Sequence, residues 1–162
     1  MELASTAQAG AARRVALTAT QALYAGDIAF NVDNAMNAPD SDAMVVVLGR
    51  TVIGFYRLDY PSPACAQQAV DRYTVTLRTF ALDLAWQGRG LGAQTLHACF
   101  ADLARRRPDR RLLMLNVHVA NTVAAHVYRR TGFVDSGELL PGGPAGPQRL
   151  LLRALGVGQC PS

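Results

Sequence analysis

The stretch Gln87-Gly88-Arg89-Gly90-Leu91-Gly92 joins a predicted strand, Thr74 to Leu84, to a predicted amphipathic helix. Its glycines let the backbone turn sharply and approach a ligand closely. The first N–H groups of the following helix have no carbonyl partners within that helix, and together with the helix dipole they can hold an anion. Plain strand-to-helix connections are also often rich in glycine. The stretch therefore indicates a phosphate site that needs support from a second motif.

Upstream of this turn, the apolar pattern predicts one strand around Val15 and Leu17 and a short helix capped by Thr18. A polar stretch from Asn31 to Asp42 then interrupts the pattern. Two β-rich runs, Met44–Leu48 and Val52–Leu58, follow and are joined by Gly49-Arg50, which is typical of a hairpin.

Downstream, Leu112–Val117 is almost entirely apolar, which favours a buried strand with a parallel neighbour across the preceding helix. A second helix is predicted from Thr122 to Arg130 and ends before Gly132. Two closing strands, Phe133–Leu139 and Gln148–Leu152, flank a Pro/Gly-rich loop. The pattern predicts an α/β sandwich with a mixed sheet in one domain over residues 13–155, with loosely ordered ends at 1–12 and 156–162.

Composition excludes several classes of protein. The 162 residues are half hydrophobic but contain no apolar run of the roughly 20 residues that a membrane span needs. The three cysteines, Cys65, Cys99 and Cys160, form no CxxC pair, so we expect neither a disulfide framework nor a metal site. We expect a cytoplasmic protein that has no membrane partner.

The formal charge of +4 comes from sixteen arginines without any lysine. Five of them cluster between Arg105 and Arg111, where the predicted helix ends, and cations there complement the helix dipole. No aromatic residues interleave with them in the sequence, as a single-strand-binding face requires. We therefore expect no nucleic-acid partner.

A second motif follows thirty-four residues after Gln87 and reads Asn121-x-x-Ala124-x-x-x-Tyr128-x-x-x-Gly132-Phe133. Together the two motifs closely resemble the GNAT superfamily of N-acetyltransferases, over roughly Val45 to Phe133. The resemblance implies a mixed, mostly antiparallel central sheet with a splayed parallel strand pair, flanked by helices. It also implies an enzyme that uses acetyl-CoA.

By this resemblance, the glycine turn cradles the pyrophosphate of coenzyme A through its backbone N–H groups, and the end of the preceding strand pairs with the pantetheine arm. Asn121 resembles an amide that binds the pantetheine region, although it is equally suited to cap the helix that follows it. The implied cofactor-binding residues are Leu82, Leu84, Gln87, Gly88, Arg89, Gly90, Leu91, Gly92, Asn121 and Tyr128.

Tyr128 resembles the general acid that protonates departing coenzyme A. A tyrosine with a pKa of about 10 stays protonated at neutral pH and can donate to a sulfur whose thiol pKa is near 8.5. Several relatives carry a glutamate twelve residues before this tyrosine, where this chain has Asn116. Because asparagine cannot accept a proton at neutral pH, either a water relay or another residue must deprotonate the amine. The candidates are Asp83, His118 and Glu138.

The acceptor is expected to be a primary amine that attacks the thioester directly in a ternary complex, since the helical spacing of Cys99 predicts a core residue and not an acyl carrier. Substrate choice should lie in Gly26–Asp42 and Pro141–Pro147, and acidic residues in the first segment favour a small cationic amine or polyamine. A peptide N-terminus, an aminoglycoside and an amino acid remain alternatives, as does an acyl-CoA-binding regulatory module without turnover. We expect a monomer or homodimer.

Overall fold

The computed structural model describes residues 2–3, 5–61, 73–142 and 145–156. The chain forms two compact units, Met1–Asp59 with Leu77–Thr95, and Tyr60–Thr76 with Leu96–Ser162. Cys65, Cys160, residues 143–144 of the Pro/Gly-rich loop and residues 157–162 lie outside the described residues. In the part of the chain that is described, no helix combines the length and apolar character that a membrane crossing requires.

The first unit begins with a two-residue strand, β1 (Glu2–Leu3), and three helices, α1 (Thr6–Arg13), α2 (Ala19–Ala25) and α3 (Ile28–Asn37). Each helix starts at a side-chain cap. Ser5 and Thr18 form capping boxes with Gln8 and Gln21, and the Asp27 carboxylate accepts from the Phe30 N–H. Such caps satisfy backbone donors that the first helical turn leaves open.

The longer strands of this unit are β2 (Ser41–Leu48) and β3 (Thr51–Asp59). Strand β4 (Thr74–Leu82) belongs to this unit from Leu77 onward. The strand order is β1-β2-β3-β4, and β2 pairs antiparallel with β3 across a turn in which Gly49 has a φ of 63°. One face of these strands packs on α1 and α3 through small and branched residues. This core contains Ala9, Ala12, Val15, Ile28, Val32, Ala35, Ala43, Val45, Phe55 and Ala81.

The second unit contains β5 (Leu112–His118), α5 (Thr122–Arg130), β6 (Val134–Leu140) and β7 (Gln148–Ala154), with strand order β4-β5-β7-β6. Helix α4 (Leu91–Arg106) belongs to the first unit up to Thr95 and to the second unit from Leu96 onward. β5 pairs parallel with β4 over three residues, Thr74–Thr76 against Leu112–Met114, and antiparallel with β7 over its whole length. The mixed, mostly antiparallel sheet with one splayed parallel pair is confirmed.

The predicted hairpin, the helix Thr122–Arg130 and the strands from Thr74 onward are confirmed, with shifts of a few residues at several ends. Gly132, with a φ of 100°, follows α5 as expected of a helix terminator. The predicted strand around Val15 and Leu17 is wrong, because these residues belong to the connection between α1 and α2. Residues 1–12 were expected to be loosely ordered, but most of them form α1, whose Ala9 and Ala12 are buried.

Candidate active site

The glycine turn is fixed in place by the side chain of Gln87. Gln87 Nε2 donates to the Leu82 carbonyl at 2.7 Å, and Gln87 Oε1 accepts from Gln21 Nε2 at 2.8 Å. The entrance to the turn is therefore anchored both to the end of β4 and to helix α2. Gln21 was not identified from the sequence, although the Thr18-x-x-Gln21 capping box that holds it is visible there.

Within the turn, Gly88 and Gly90 have φ values of 73° and 74°, a left-handed conformation in which a side chain is strained. Both glycines are exposed, and α4 begins at the next residue, Leu91. The turn and the sixteen-residue helix α4 thus have the geometry of a backbone anion site. The Arg89 guanidinium lies 5.0 Å from the centre of the Trp86 ring, which holds a positive charge beside the turn.

The strand before the turn ends at Leu82, two residues earlier than predicted. Asp83 caps a short 3-10 helix, Leu84–Trp86, by accepting from the Ala85 N–H at 3.0 Å. The Leu84 N–H donates to the Ala16 carbonyl at 3.0 Å. Leu84 therefore lies outside the strand, and its N–H is already used by the fold.

β4 carries a backbone distortion at Thr79, whose φ is 51°. A positive φ is uncommon for a residue other than glycine and is an outlier for a β-branched one. Strain of this kind is held in place only when the surrounding structure determines it, and it concentrates at functional positions. Thr79 lies three residues before Leu82, which the resemblance assigns to the pantetheine arm.

In the second unit, Tyr128 lies on the buried face of α5. Its ring packs edge-on against Phe133 with 5.6 Å between ring centres, and its main-chain carbonyl accepts from Thr131 Oγ1 at 2.9 Å and from the Phe133 N–H at 3.1 Å. Burial raises the pKa of the Tyr128 phenol above its usual value of 10.0. Tyr128 is thus a neutral hydrogen-bond donor throughout the neutral pH range.

Asn121 caps α5 by accepting from the Ala124 N–H at 3.4 Å, a long and hence weak hydrogen bond. The cap predicted from the sequence is present. Asn116, on β5 opposite Leu150 of β7, has an exposed side chain. These residues and Tyr128 all lie in the second unit, whereas Leu82, Leu84 and Gln87–Gly92 lie in the first.

The three candidate bases differ in the hydrogen bonds that their side chains make and in their exposure. Asp83 accepts from the backbone N–H groups of Ala16 and Ala85, one on each carboxylate oxygen. His118 is buried, and its Nε2 lies 3.0 Å from Gln148 Nε2, so this ring nitrogen faces a donor. Glu138 is exposed in the irregular part of β6 between Asp135 and Leu139.

Some of the acidic residues in Gly26–Asp42 already make hydrogen bonds or ion pairs within the fold. Asp27 caps α3, and Asp33 pairs with Arg13, whose Nε donates to it at 2.7 Å. The stretch from Asn31 to Asp42, interpreted as a polar interruption, begins within α3, and its residues Val32 and Ala35 are buried. Fewer free carboxylates therefore remain here than the sequence suggested.

Comparison with known proteins identifies the family. The model of the acetyltransferase (GNAT) family matches residues 9–133. No curated protein sequence matches the chain. The chain belongs to the GNAT family of acetyltransferases.

Solved structures agree with this fold. An acetyltransferase of the GNAT family from Streptococcus pneumoniae superimposes with a TM-score of 0.70 at 17% identity, covering 96% of this chain and 98% of the other. The aminoglycoside acetyltransferase AAC(6')-Ib, solved with paromomycin and acetyl-CoA, gives 0.73 at 14% identity, with coverage of 94% and 91%. The protein yncA from Salmonella typhimurium, solved with its cofactor acetyl-CoA, gives 0.71 at 19% identity, with coverage of 99% and 96%.

Proposed function

We propose that this chain is an acetyl-CoA-dependent N-acetyltransferase that moves an acetyl group directly to a small primary amine. The observation that carries the proposal is the anchored glycine turn at the start of α4, in a chain that belongs to an acetyltransferase family. Structural neighbours solved with acetyl-CoA support the choice of donor.

Coenzyme A is held first by its pyrophosphate. The backbone N–H groups of Gly88–Gly92 bind the pyrophosphate at the helix start, and Arg89 adds a positive charge that Trp86 holds beside the turn. Farther along the cofactor, Leu82 offers main-chain groups to the pantetheine arm, and Asn121 offers its amide. Leu84 contributes its side chain, since its N–H donates to the Ala16 carbonyl and its own carbonyl accepts from the Gln87 N–H.

In the reaction, the amine lone pair attacks the thioester carbonyl carbon, a C–N bond forms, and the C–S bond breaks with its electrons passing to sulfur. Tyr128 donates the proton that sulfur gains. A buried phenol is a weaker acid than a free one, so complete transfer requires that the same apolar surroundings raise the pKa of the departing thiol. Whether the proton is fully transferred or only shared, a hydrogen bond from Tyr128 stabilises the negative charge that develops on sulfur.

The amine must lose a proton before or during attack. Each Asp83 carboxylate oxygen accepts a backbone N–H, His118 is buried with its Nε2 3.0 Å from Gln148 Nε2, and Glu138 is exposed. We therefore favour a water held by the Asn116 amide, which carries the proton to solvent. Positioning of the two substrates then provides most of the rate, as is common for direct transfer.

A small cationic amine or polyamine remains the first acceptor to test, because the segment Gly26–Asp42 carries four acidic residues, Asp27, Asp33, Asp40 and Asp42. Because the structural neighbours include an aminoglycoside acetyltransferase, larger molecules with several amino groups are also tested as acceptors. The alternative acceptor for acetyl transfer is a peptide N-terminus. The alternative to acetyl transfer is a regulatory module that binds acyl-CoA without turnover.

The test is to incubate the protein with acetyl-CoA and a panel of diamines, polyamines, amino acids, an aminoglycoside and a peptide, and to follow free thiol together with the mass of the product. We expect at least one amine to gain one acetyl group for each thiol released. Binding of acetyl-CoA in calorimetry without turnover on any amine would favour the regulatory module instead.

A further inference from the structure

Arg57 of β3 is the most deeply buried arginine of a polar cluster in the first unit. Its guanidinium donates to Asp59 Oδ1 at 2.6 Å, to Asn34 Oδ1 of α3 at 2.6 Å, and to Ser41 Oγ of β2 at 3.2 Å. A buried charge is tolerated only when it is paired and hydrogen-bonded. Arg57 therefore requires the negative charge of Asp59.

Asp59 is held as a carboxylate by this cluster. Burial alone would raise its pKa, but hydrogen bonds from Ser41, Arg57 and Arg78 outweigh burial, and the net pKa lies below its usual value. Ser41 Oγ donates to Asp59 Oδ1 at 2.6 Å, while the second oxygen, Oδ2, accepts from Arg78 at 3.0 Å. One carboxylate thus faces two guanidinium groups.

The positive charge of Arg78 is consequently not compensated within the cluster, because Asp59 balances the buried Arg57. Arg78 lies on β4 with 61% of its side chain exposed, and one of its nitrogens is anchored to Asp59. A guanidinium has five N–H donors in a fixed planar arrangement that suits the two oxygens of a carboxylate. Among the described residues, a partner is recorded for one of its three nitrogens, Nη1, so the guanidinium has further N–H donors with which to bind a second anion.

The position of Arg78 along the strand points to the substrate. The ladder between β4 and β5 ends at Thr76, two residues before Arg78, and the strained Thr79 follows directly. Arg78 therefore lies where β4 leaves its parallel partner, four residues before Leu82. The Cα atoms of Arg78 and Leu82 are therefore at most about 13 Å apart along the strand, at roughly 3.3 Å per residue.

We propose that Arg78, held by Asp59, binds an anionic group of the acceptor, so that the substrates are primary amines that also carry a carboxylate, such as amino acids. This inference rests on the proposed acetyl transfer and names its substrate class. It differs from the diamine preference that the acidic residues of Gly26–Asp42 suggested.

The experiment compares acceptors that differ only by a carboxylate: putrescine with ornithine, and cadaverine with lysine. We expect the wild-type protein to acetylate the amino acid of each pair with the higher kcat/KM. Arg78→Met should lower kcat/KM for the amino acids roughly tenfold to a hundredfold, mainly through KM, and leave the diamines within about twofold. Arg78→Lys keeps the charge without the planar fork and should recover only part of the loss.

Arg105→Met is the matched control, since Arg105 is also an exposed arginine with an aspartate partner, Asp102, at 3.1 Å. It should change neither class of acceptor. A wild-type preference for the diamines, or an equal loss for both classes in Arg78→Met, would overturn the inference while acetyl transfer itself stands. Turnover with no amine at all would instead remove the proposed function.

Discussion

Burial pushes the pKa upward at both Tyr128 and Asp59, and what surrounds each group decides the result. At Tyr128, burial raises the pKa, so the phenol stays neutral. The contribution of the neutral phenol to folding stability is present at neutral pH and is lost only in strong alkali, as the pH rises through the raised pKa. At Asp59, three hydrogen-bond donors reverse the effect of burial. One site thus keeps a proton available to donate, and the other keeps a negative charge available to orient arginines.

At the residue scale, Asp59→Asn should destabilise the protein by roughly 3 kcal/mol at neutral pH, because Arg57 is left buried without its counter-charge. The folded-state pKa of Asp59 is lowered, so its stabilising effect is present above the unfolded pKa of about 3.9 and is lost as pH falls through the folded value. The difference between wild type and variant should therefore shrink below about pH 4. Urea unfolding at several pH values measures it.

Asp33→Asn is the control for this prediction. Its pair with Arg13 is about half exposed on both sides, and we expect a loss of less than about 1 kcal/mol. A loss for Asp59→Asn that is equally small, or that does not depend on pH, would show that the cluster does not hold Asp59 as a carboxylate.

At the scale of elements, the sequence predicted best where one local pattern is decisive. The hairpin at Gly49, the helix from Thr122 to Arg130 and the buried strand β5 each have a clear period and a terminator. α1 was missed because its alanines and glycine give weak hydrophobic contrast, although the Ser5-x-x-Gln8 capping box marks its start. α3 was missed although Asp27 precedes apolar residues at helical spacing, Ile28, Val32 and Ala35.

Gly54 tests how β3 supports the end of β4. A Cβ at this position would come within 2.6 Å of the Ala81 carbonyl oxygen and 2.7 Å of Leu82 Cδ2. Because the first contact is with backbone, Gly54→Ala must displace the strand, and we expect a loss of about 1–3 kcal/mol in unfolding free energy. If Leu82 contacts the cofactor, affinity for coenzyme A should fall as well.

Gly10→Ala in α1 is the matched control, since its added methyl group has a side-chain nitrogen of Arg14 at 3.8 Å as its nearest neighbour. Alanine in a helix interior should stabilise by up to about 1 kcal/mol. Equal stability of the Gly54 and Gly10 variants in urea would contradict the close strand packing.

At the scale of the whole molecule, the proposed functional residues are of two kinds. The glycine turn, Asn121 and Tyr128 follow fixed spacings along the chain, so a family resemblance is enough to propose them from the sequence. The cluster of Asn34, Arg57, Asp59 and Arg78 could not be predicted, because it joins three elements, α3, β3 and β4, that lie about twenty residues apart in the sequence. The same holds for the engagement of Leu84 and Asp83 with Ala16.

The most direct measurement is the effect of Tyr128→Phe on kcat, together with the dissociation constant for coenzyme A, with Tyr73→Phe as the matched control. Removing a proton donor that acts only in the transition state should lower kcat by about 10²- to 10⁴-fold and leave cofactor affinity within about threefold. Tyr73→Phe should change neither quantity. A kcat for Tyr128→Phe within twofold of wild type would contradict the assignment of Tyr128 as the acid in acetyl transfer.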